Sequence, residues 1–157
     1  MRCLGIASPP MEPLIAYLHY LSIIVLSGFL VGELVMCRAG MTSEQARRLA
    51  SIDAVFFAAA LAALATGLLR LFLYAKGVGF YTGNPTFWAK MALYVTIAVI
   101  SIKPTRTFLR WKRVAAERGG VPAGDEIAAV RRLVHIELGL LALMPLMAVL
   151  MARGIGR

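Results

Sequence analysis

Cysteine and histidine are scarce in this chain, which has two of each among its 157 residues. Cys3 and Cys37 flank the first long apolar run. As a helix this run would be about 34 Å long at about 1.5 Å per residue, too long for the two thiols to pair within one chain. No CxxC motif or Cys/His cluster is present. These absences exclude a disulfide-stapled scaffold and a zinc-binding module.

Charge is also scarce, because only 16% of the residues are charged and 60% are hydrophobic. A soluble domain would carry about a quarter of charged residues. The apolar residues form four blocks, each close to the ~20 residues that cross a hydrocarbon core. The pattern predicts an integral membrane protein with a single transmembrane domain, 1–157, whose spans are approximately 14–36, 46–75, 85–108 and 127–152.

The spans are predicted to be helices, because backbone groups in lipid must be satisfied within each segment. No sustained period-2 alternation suggests barrel strands. We therefore expect an all-α, four-helix transmembrane bundle of up-down topology. Thr42 is a candidate cap for the second helix, and Asn84 followed by Pro85 is a helix-start signal for the third. Two prolines precede Met11, which makes Met11 a candidate start of the chain.

Basic residues are distributed unequally between the two ends of such a bundle. Eleven lie in or beside the connections between spans one and two and between spans three and four, and four lie at the other end. The positive-inside rule then places both termini outside. Topology and anionic lipid account for this charge, so nucleic acid is not an expected partner.

Seven ionisable residues of the spans are candidates for a functional role, because buried charge in lipid costs several kcal/mol. They are His19, Glu33, Asp53, Arg70, Lys90, His135 and Glu137. Counting from the outer ends of the spans places His19, Arg70 and Lys90 in one outer layer, roughly 7–8 Å deep. His135 would lie roughly 25 Å down. If two side chains hold a haem, His19 with Lys90 fits this layering better than His19 with His135.

Structural interpretations of these residues stay open beside the functional ones. Lys90 and Arg70 can extend to the headgroups with their stems buried, and His19 can simply join two helices by a hydrogen bond. Glu33 and Asp53 are expected to pair with arginines at the inner interface. His135 and Glu137 lie about 200° apart around their helix, so only one can face the interior.

Three segments carry a resemblance to a known family: LHYLSIIVLSGFLVGELV, QARRLASIDAVF and FYTGNPTFWAKMALY. They resemble an uncharacterised bacterial family of small four-helix membrane proteins, over nearly the whole chain from Met11. This resemblance implies a multi-pass protein of the bacterial inner membrane, and that family has no established activity.

A more distant likeness carries chemistry. The four-helix membrane type of protoporphyrinogen IX oxidase is similar in having a histidine in span one, a lysine in span three and a glutamate in span four, which match His19, Lys90 and Glu137. That likeness implies a haem b-binding oxidoreductase with His19, Lys90 and Glu137 at the cofactor. We expect His19 and Lys90 at the iron, Arg70 beside a propionate or another anion, and Tyr94 lining the pocket. The family has a histidine where this chain has Trp88, a departure that bears on substrate oxidation more than on haem binding.

Two other classes of function remain as alternatives. Membrane copper-resistance proteins share the same plan, which keeps copper or small-solute transport open. A non-catalytic accessory subunit needs the polar residues only to join helices. The small residues Ser27, Gly28 and Gly32 would admit a close helix neighbour, either in a homo-oligomer or within one bundle.

The orientation is directly testable. A reporter fused at Arg157 should be active only as a periplasmic reporter, because the eleven basic residues hold the opposite end of the bundle in the cytoplasm. Paired fusions to a periplasmic and a cytoplasmic reporter measure this. Cytoplasmic activity at Arg157 would reverse the assignment of inner and outer layers.

Overall fold

A computed structural model describes residues 11–74 and 78–153, so Met1 to Pro10, Cys3 among them, lie outside the described residues. These described residues form α1 (Met11–Met36), α2 (Ser43–Leu69), a short π-helical extension (Arg70–Tyr74), α3 (Val78–Thr82), α4 (Pro85–Arg118) and α5 (Gly124–Ala152). Within them no strand occurs. The all-α prediction is confirmed.

Two helix starts follow the expected cap chemistry. Thr42 accepts a hydrogen bond from the Gln45 backbone while the Gln45 side chain binds the Thr42 backbone, which completes a capping box. Asn84 accepts from the backbone of Thr86 at 2.9 Å, with Pro85 at the first helical position. Gly119 ends α4 in the left-handed conformation, with φ of 60°. A residue with a Cβ would be strained there.

The four long helices form a ring in which α1 packs on α2 and α5, and α4 packs on α2 and α5. Helices α1 and α4 therefore lie on the diagonal of the ring and do not pack on each other, which agrees with an up-down bundle. Each long helix is apolar enough to cross a membrane, and only 11–22% of the residues in its most apolar window are buried. Exposed apolar side chains such as Tyr17, Ile24 and Phe57 then face lipid. The prediction of a four-helix transmembrane bundle is confirmed.

The two ends of the bundle differ in packing. We name the end where α1 begins and α5 finishes the terminal end, and the end that carries the α1–α2 and α4–α5 connections the arginine-rich end. The buried residues of α5 all lie between Ile127 and Glu137, in its first half. The buried residues within α4 lie between Ile97 and Ala115. The bundle is therefore closed toward the arginine-rich end and open toward the terminal end.

The core of the closed half combines large side chains from all four long helices. Its fully buried members include Leu30, Leu49, Phe108 and Val130. Helix α4 passes through Pro104 without interruption and continues beyond residue 108 to Arg118. The helix thus extends ten residues beyond the predicted end of span three at residue 108, and Gly119 caps it.

Polar contacts hold the helices together at the arginine-rich end. The Trp111 indole donates to Glu126 Oε2 at 2.9 Å, and Arg110 forms an ion pair with the same carboxylate. Arg131 of α5 donates to the carbonyls of Leu34 and Cys37 at 2.6 and 2.7 Å. The Leu34 carbonyl belongs to the final turn of α1 and the Cys37 carbonyl follows directly after it, where carbonyls lack partners within the helix. Arg131 therefore fastens α5 to α1.

Replacing this arginine should loosen the α1–α5 pair. Arg131→Met removes two hydrogen bonds from a charged donor and leaves both carbonyls unsatisfied, so we expect a loss of about 2–4 kcal/mol of stability. Arg132→Met is the matched control, because Arg132 is exposed on the next position of α5. The measurement is the midpoint of thermal unfolding in detergent. Equal midpoints for the two variants would contradict this role for Arg131.

Candidate functional site

His19 is anchored on α2 by one ring nitrogen. Its Nδ1 lies 3.0 Å from the carbonyl of Ala63 and 3.0 Å from Thr66 Oγ1. The Thr66 hydroxyl donates its single proton to Ala62 O at 2.6 Å within α2, so it can only accept from the ring. Both neighbours of Nδ1 are then acceptors, and Nδ1 carries the proton. In the neutral ring, Nε2 is left as the nitrogen with a free lone pair.

Gly67 makes this close approach of α1 and α2 possible. A Cβ at Gly67 would lie 3.1 Å from Cε1 and 3.6 Å from Nδ1 of His19. An alanine there would press on the imidazole edge that carries the anchoring N–H. The small residue in α2 therefore sets where the ring lies and which of its nitrogens points away from the helix.

Two cations lie beside this histidine. Arg70, at the start of the π-helical extension, has its guanidinium carbon 5.4 Å from the ring centre of Tyr20. Lys90 of α4 is partly buried and forms no hydrogen bond or ion pair with the described residues. The charges of Lys90 and Arg70 both act on His19 and on each other. We call His19, Arg70 and Lys90 the cationic site.

The cationic site brings together the three residues that the depth count places in one layer, and it lies in the open half of the bundle. Tyr94, one turn from Lys90, donates its hydroxyl to the carbonyl of Ala60 at 3.0 Å. That bond joins α4 to α2 just below the site. The hydroxyl of Tyr94 is therefore committed to the helix contact, and its ring is the part that borders the site.

Glu137 does not belong to this group. Its Oε2 lies 2.9 Å from Ser101 Oγ, and Ser101 is three turns of α4 from Lys90, or about 16 Å. Glu137 is 1% exposed and faces the interior, whereas His135 is exposed and its Nδ1 contacts Arg131 O of its own helix. The five residues expected to surround a cofactor thus divide into the cationic site with Tyr94, and Glu137 elsewhere.

Glu137 instead joins two other carboxyl groups in the closed half. Glu33 of α1 and Asp53 of α2 are 1% and 3% exposed, and their electrostatic influence extends to each other and to Glu137. Asp53 Oδ1 accepts from Thr105 Oγ1 of α4 at 2.9 Å. We call Glu33, Asp53 and Glu137 the carboxyl cluster.

The expected pairing of Glu33 and Asp53 with arginines is wrong. The ion pairs found in residues 11–74 and 78–153 are Arg48 with Glu44 and Arg110 with Glu126. Arg131, the basic residue that reaches toward α1, is occupied by backbone carbonyls. The two carboxyl groups are turned into the bundle, out of reach of the interfacial guanidinium groups.

A sequence signal for the carboxyl cluster does exist. Ser101 and Thr105 are one turn apart on α4, so they share a face, and each meets a carboxyl group from a different helix. A pair of hydroxyl residues on one face of a span is common in membrane helices. The pair Ser101 and Thr105 therefore indicates a polar site only once the fold shows that acidic residues of α2 and α5 contact it.

Cysteine chemistry does not contribute to either group. Burial raises the pKa of the Cys37 thiol to about 11, and its Sγ lies 3.9 Å from the carbonyl of Ile127. The thiol therefore keeps its proton at neutral pH, unlike a metal ligand. Among the residues that the structure describes, no three or more His, Cys, Asp or Glu side chains are grouped to hold a metal ion.

The anchoring of His19 can be tested by enlarging Gly67. Gly67→Ala should displace the imidazole and weaken its bond to Ala63, because the new methyl group would lie 3.1 Å from Cε1. Nitrogen NMR of labelled histidine in lipid should show a changed His19 Nδ1 resonance, with His135 as internal reference. Gly28→Ala is the control, since a Cβ there meets nothing within 4 Å. An unchanged resonance in Gly67→Ala would refute the contact.

Comparison with known proteins agrees with the architecture. Residues 11–156 match the model of a family described as "Predicted membrane protein (DUF2214)". Neither the curated proteins nor the solved structures include a match. The likeness to protoporphyrinogen oxidase and to copper-resistance proteins accordingly gains no support from these comparisons. With four apolar helices and a match over nearly its entire length, the chain belongs to the DUF2214 family of predicted membrane proteins.

Proposed function

We propose that this protein is a haem b-binding redox protein of the bacterial inner membrane, with the terminal end facing outside. The observation that carries the proposal is the orientation of His19. Its Nδ1–H is held by a backbone carbonyl of α2, which leaves Nε2 available to a ligand. Histidines that bind metals commonly donate their second ring nitrogen in this way, because the bond holds the ring and its tautomer in place.

The residues of the cationic site fit such a group in charge as well. Haem b carries two propionate carboxylates, and Arg70 is a cation within a span that forms no ion pair with the described residues. The nearest acidic residue along α1 is Glu12, about 10 Å from His19 toward the terminal end, and Glu12 forms no ion pair with the described residues. An anionic ligand would supply the missing negative charge.

Each residue has a distinct place in this proposal. His19 would bind the iron through Nε2, Lys90 would bind it as the neutral amine, and Arg70 would bind a propionate. Tyr94 would contribute the face of its ring, since its hydroxyl is bonded to Ala60. Glu137 is no longer assigned to the haem. When bound, haem b would supply one-electron redox chemistry, and any enzymatic activity would be a haem-dependent oxidation.

A second candidate function is transport of a small anionic solute. The observation that favours it is the uneven closure of the bundle, which is open beside the cationic site and packed beyond it. An anion entering from the terminal end would meet Lys90 and Arg70 before reaching the closed half. The cation-rich site gives copper no comparable support, because copper prefers soft thiolate and thioether ligands.

Haem binding predicts a specific pattern of variants. Protein expressed with a haem precursor should show a Soret band. His19→Ala and Lys90→Ala should each reduce the bound haem by at least about tenfold. Removing a group that only supports a metal ligand already lowers affinity about 10-fold or more, and removing the ligand itself should lower it further. His135→Ala is the control and should keep the band, because His135 is exposed and contacts its own helix.

Other outcomes separate the alternatives. A colourless, iron-free wild-type protein under these conditions would overturn haem binding. If such a protein nevertheless carried anions into liposomes in a manner lost in Lys90→Met, transport would replace the redox proposal. If substitutions at His19 and Lys90 changed only thermal stability, the polar residues would serve helix association alone.

A further inference from the structure

The carboxyl cluster is a second polar centre that the cationic site does not use. Each of its acidic groups comes from a different helix: Glu33 from α1, Asp53 from α2 and Glu137 from α5. The fourth long helix supplies the hydroxyls of Ser101 and Thr105. All four helices thus present a polar side chain to one region of the closed half, which is otherwise built from apolar residues.

The cluster contains more acceptors than the surrounding donors can satisfy. Glu33 is 1% exposed, lies within the electrostatic influence of Asp53 and Glu137, and its side chain makes no hydrogen bond with the described residues. Glu33 Oε1 and Glu137 Oε1 are both buried without a partner. Unpaired acceptors in this setting carry a desolvation cost of about 1–3 kcal/mol each, and more if charged.

A proton count at Ser101 shows where a further proton fits. Ser101 Oγ lies 2.9 Å from Ile97 O and 2.9 Å from Glu137 Oε2. A hydroxyl has one proton to donate, and a backbone carbonyl can only accept. Both contacts are hydrogen bonds at the same time only if Glu137 donates a proton of its own to Ser101.

No cationic side chain of the described residues forms an ion pair that would neutralise the carboxyl cluster. Cys37, one residue beyond α1, interacts electrostatically with Glu33 and with Arg131 of α5, and it is a protonated thiol. Arg131 donates to the carbonyls of Leu34 and Cys37, Lys103 and Arg106 of α4 are exposed, and no ion pair of the described residues includes a carboxyl group of the cluster. Three carboxylates without a counter-ion would be costly in lipid. The described side chains also form no grouping suited to a metal ion.

We propose that Glu33, Asp53 and Glu137 form an intramembrane proton-binding site. Glu137 holds one proton and donates it to Ser101, Glu33 holds another in the apolar interior, and Asp53 accepts from Thr105 as the carboxylate. This site is independent of the cationic site and does not require haem. Its ligand is the proton. The number of protons it holds follows from the small number of carboxylate charges that the apolar interior can accommodate.

Infrared spectroscopy of the protein in lipid bilayers tests this assignment directly, because protonated carboxyl groups have their own C=O band. The wild-type protein should show that band at neutral pH and lose it as the pH rises. Glu33→Gln and Glu137→Gln should each remove roughly half of it, since a buried carboxyl neutralises in place of remaining charged. Glu44→Gln, at an exposed residue paired with Arg48, is the control and should leave the band unchanged.

A second variant locates the proton on Glu137. Ser101→Ala removes its acceptor, so the band should shift in frequency without being lost. Thr96→Ala, which removes an exposed hydroxyl of α4 bonded to Ala92 O, should not shift it.

Three results would overturn the proposal. The first is the absence of the band in wild-type protein at neutral pH. The second is a band that Glu33→Gln and Glu137→Gln leave intact. The third is loss of the band at constant pH when sodium or potassium replaces choline, which would identify a cation site. The wild-type titration decides the first and third even if a variant fails to fold.

Discussion

Lipid offers no hydrogen bonds, so each polar group in the spans of this protein depends on a partner inside the bundle. That constraint organises the interior. The final carbonyls of α1 are served by Arg131, the His19 ring by the backbone of α2, and the Tyr94 hydroxyl by the same helix. Lys90 and Glu33 have no such partner among the described residues, and we propose a ligand for the first and a proton for the second.

The two polar centres have opposite character and lie in different halves of the bundle. The cationic site lies in the open half, where a ligand can approach between helices that are not closely packed. The carboxyl cluster lies in the closed half among buried apolar residues. A difference in packing along the same four helices therefore leaves one centre in the open half and encloses the other, and our two proposals rest on this difference.

The fold and part of the site follow from sequence reasoning. Segment length and hydropathy predict four spans, and the signals at Thr42 and Asn84 mark helix starts that the structure confirms. Counting residues from the span ends also brings His19, Arg70 and Lys90 to one level. This works because a helix converts sequence separation into depth at a constant rise.

Depth alone does not say which way a side chain points. The rotation of each helix is set by packing, and packing turned Glu137 inward to Ser101, left His135 exposed and directed Glu33 and Asp53 away from the arginines. The sequence by itself determined the class, the number of spans and the layer of the cationic site, because these depend on composition and helical rise. Only the tertiary structure decided that three acidic residues from three helices converge, because that depends on how the helices rotate to bury their apolar faces.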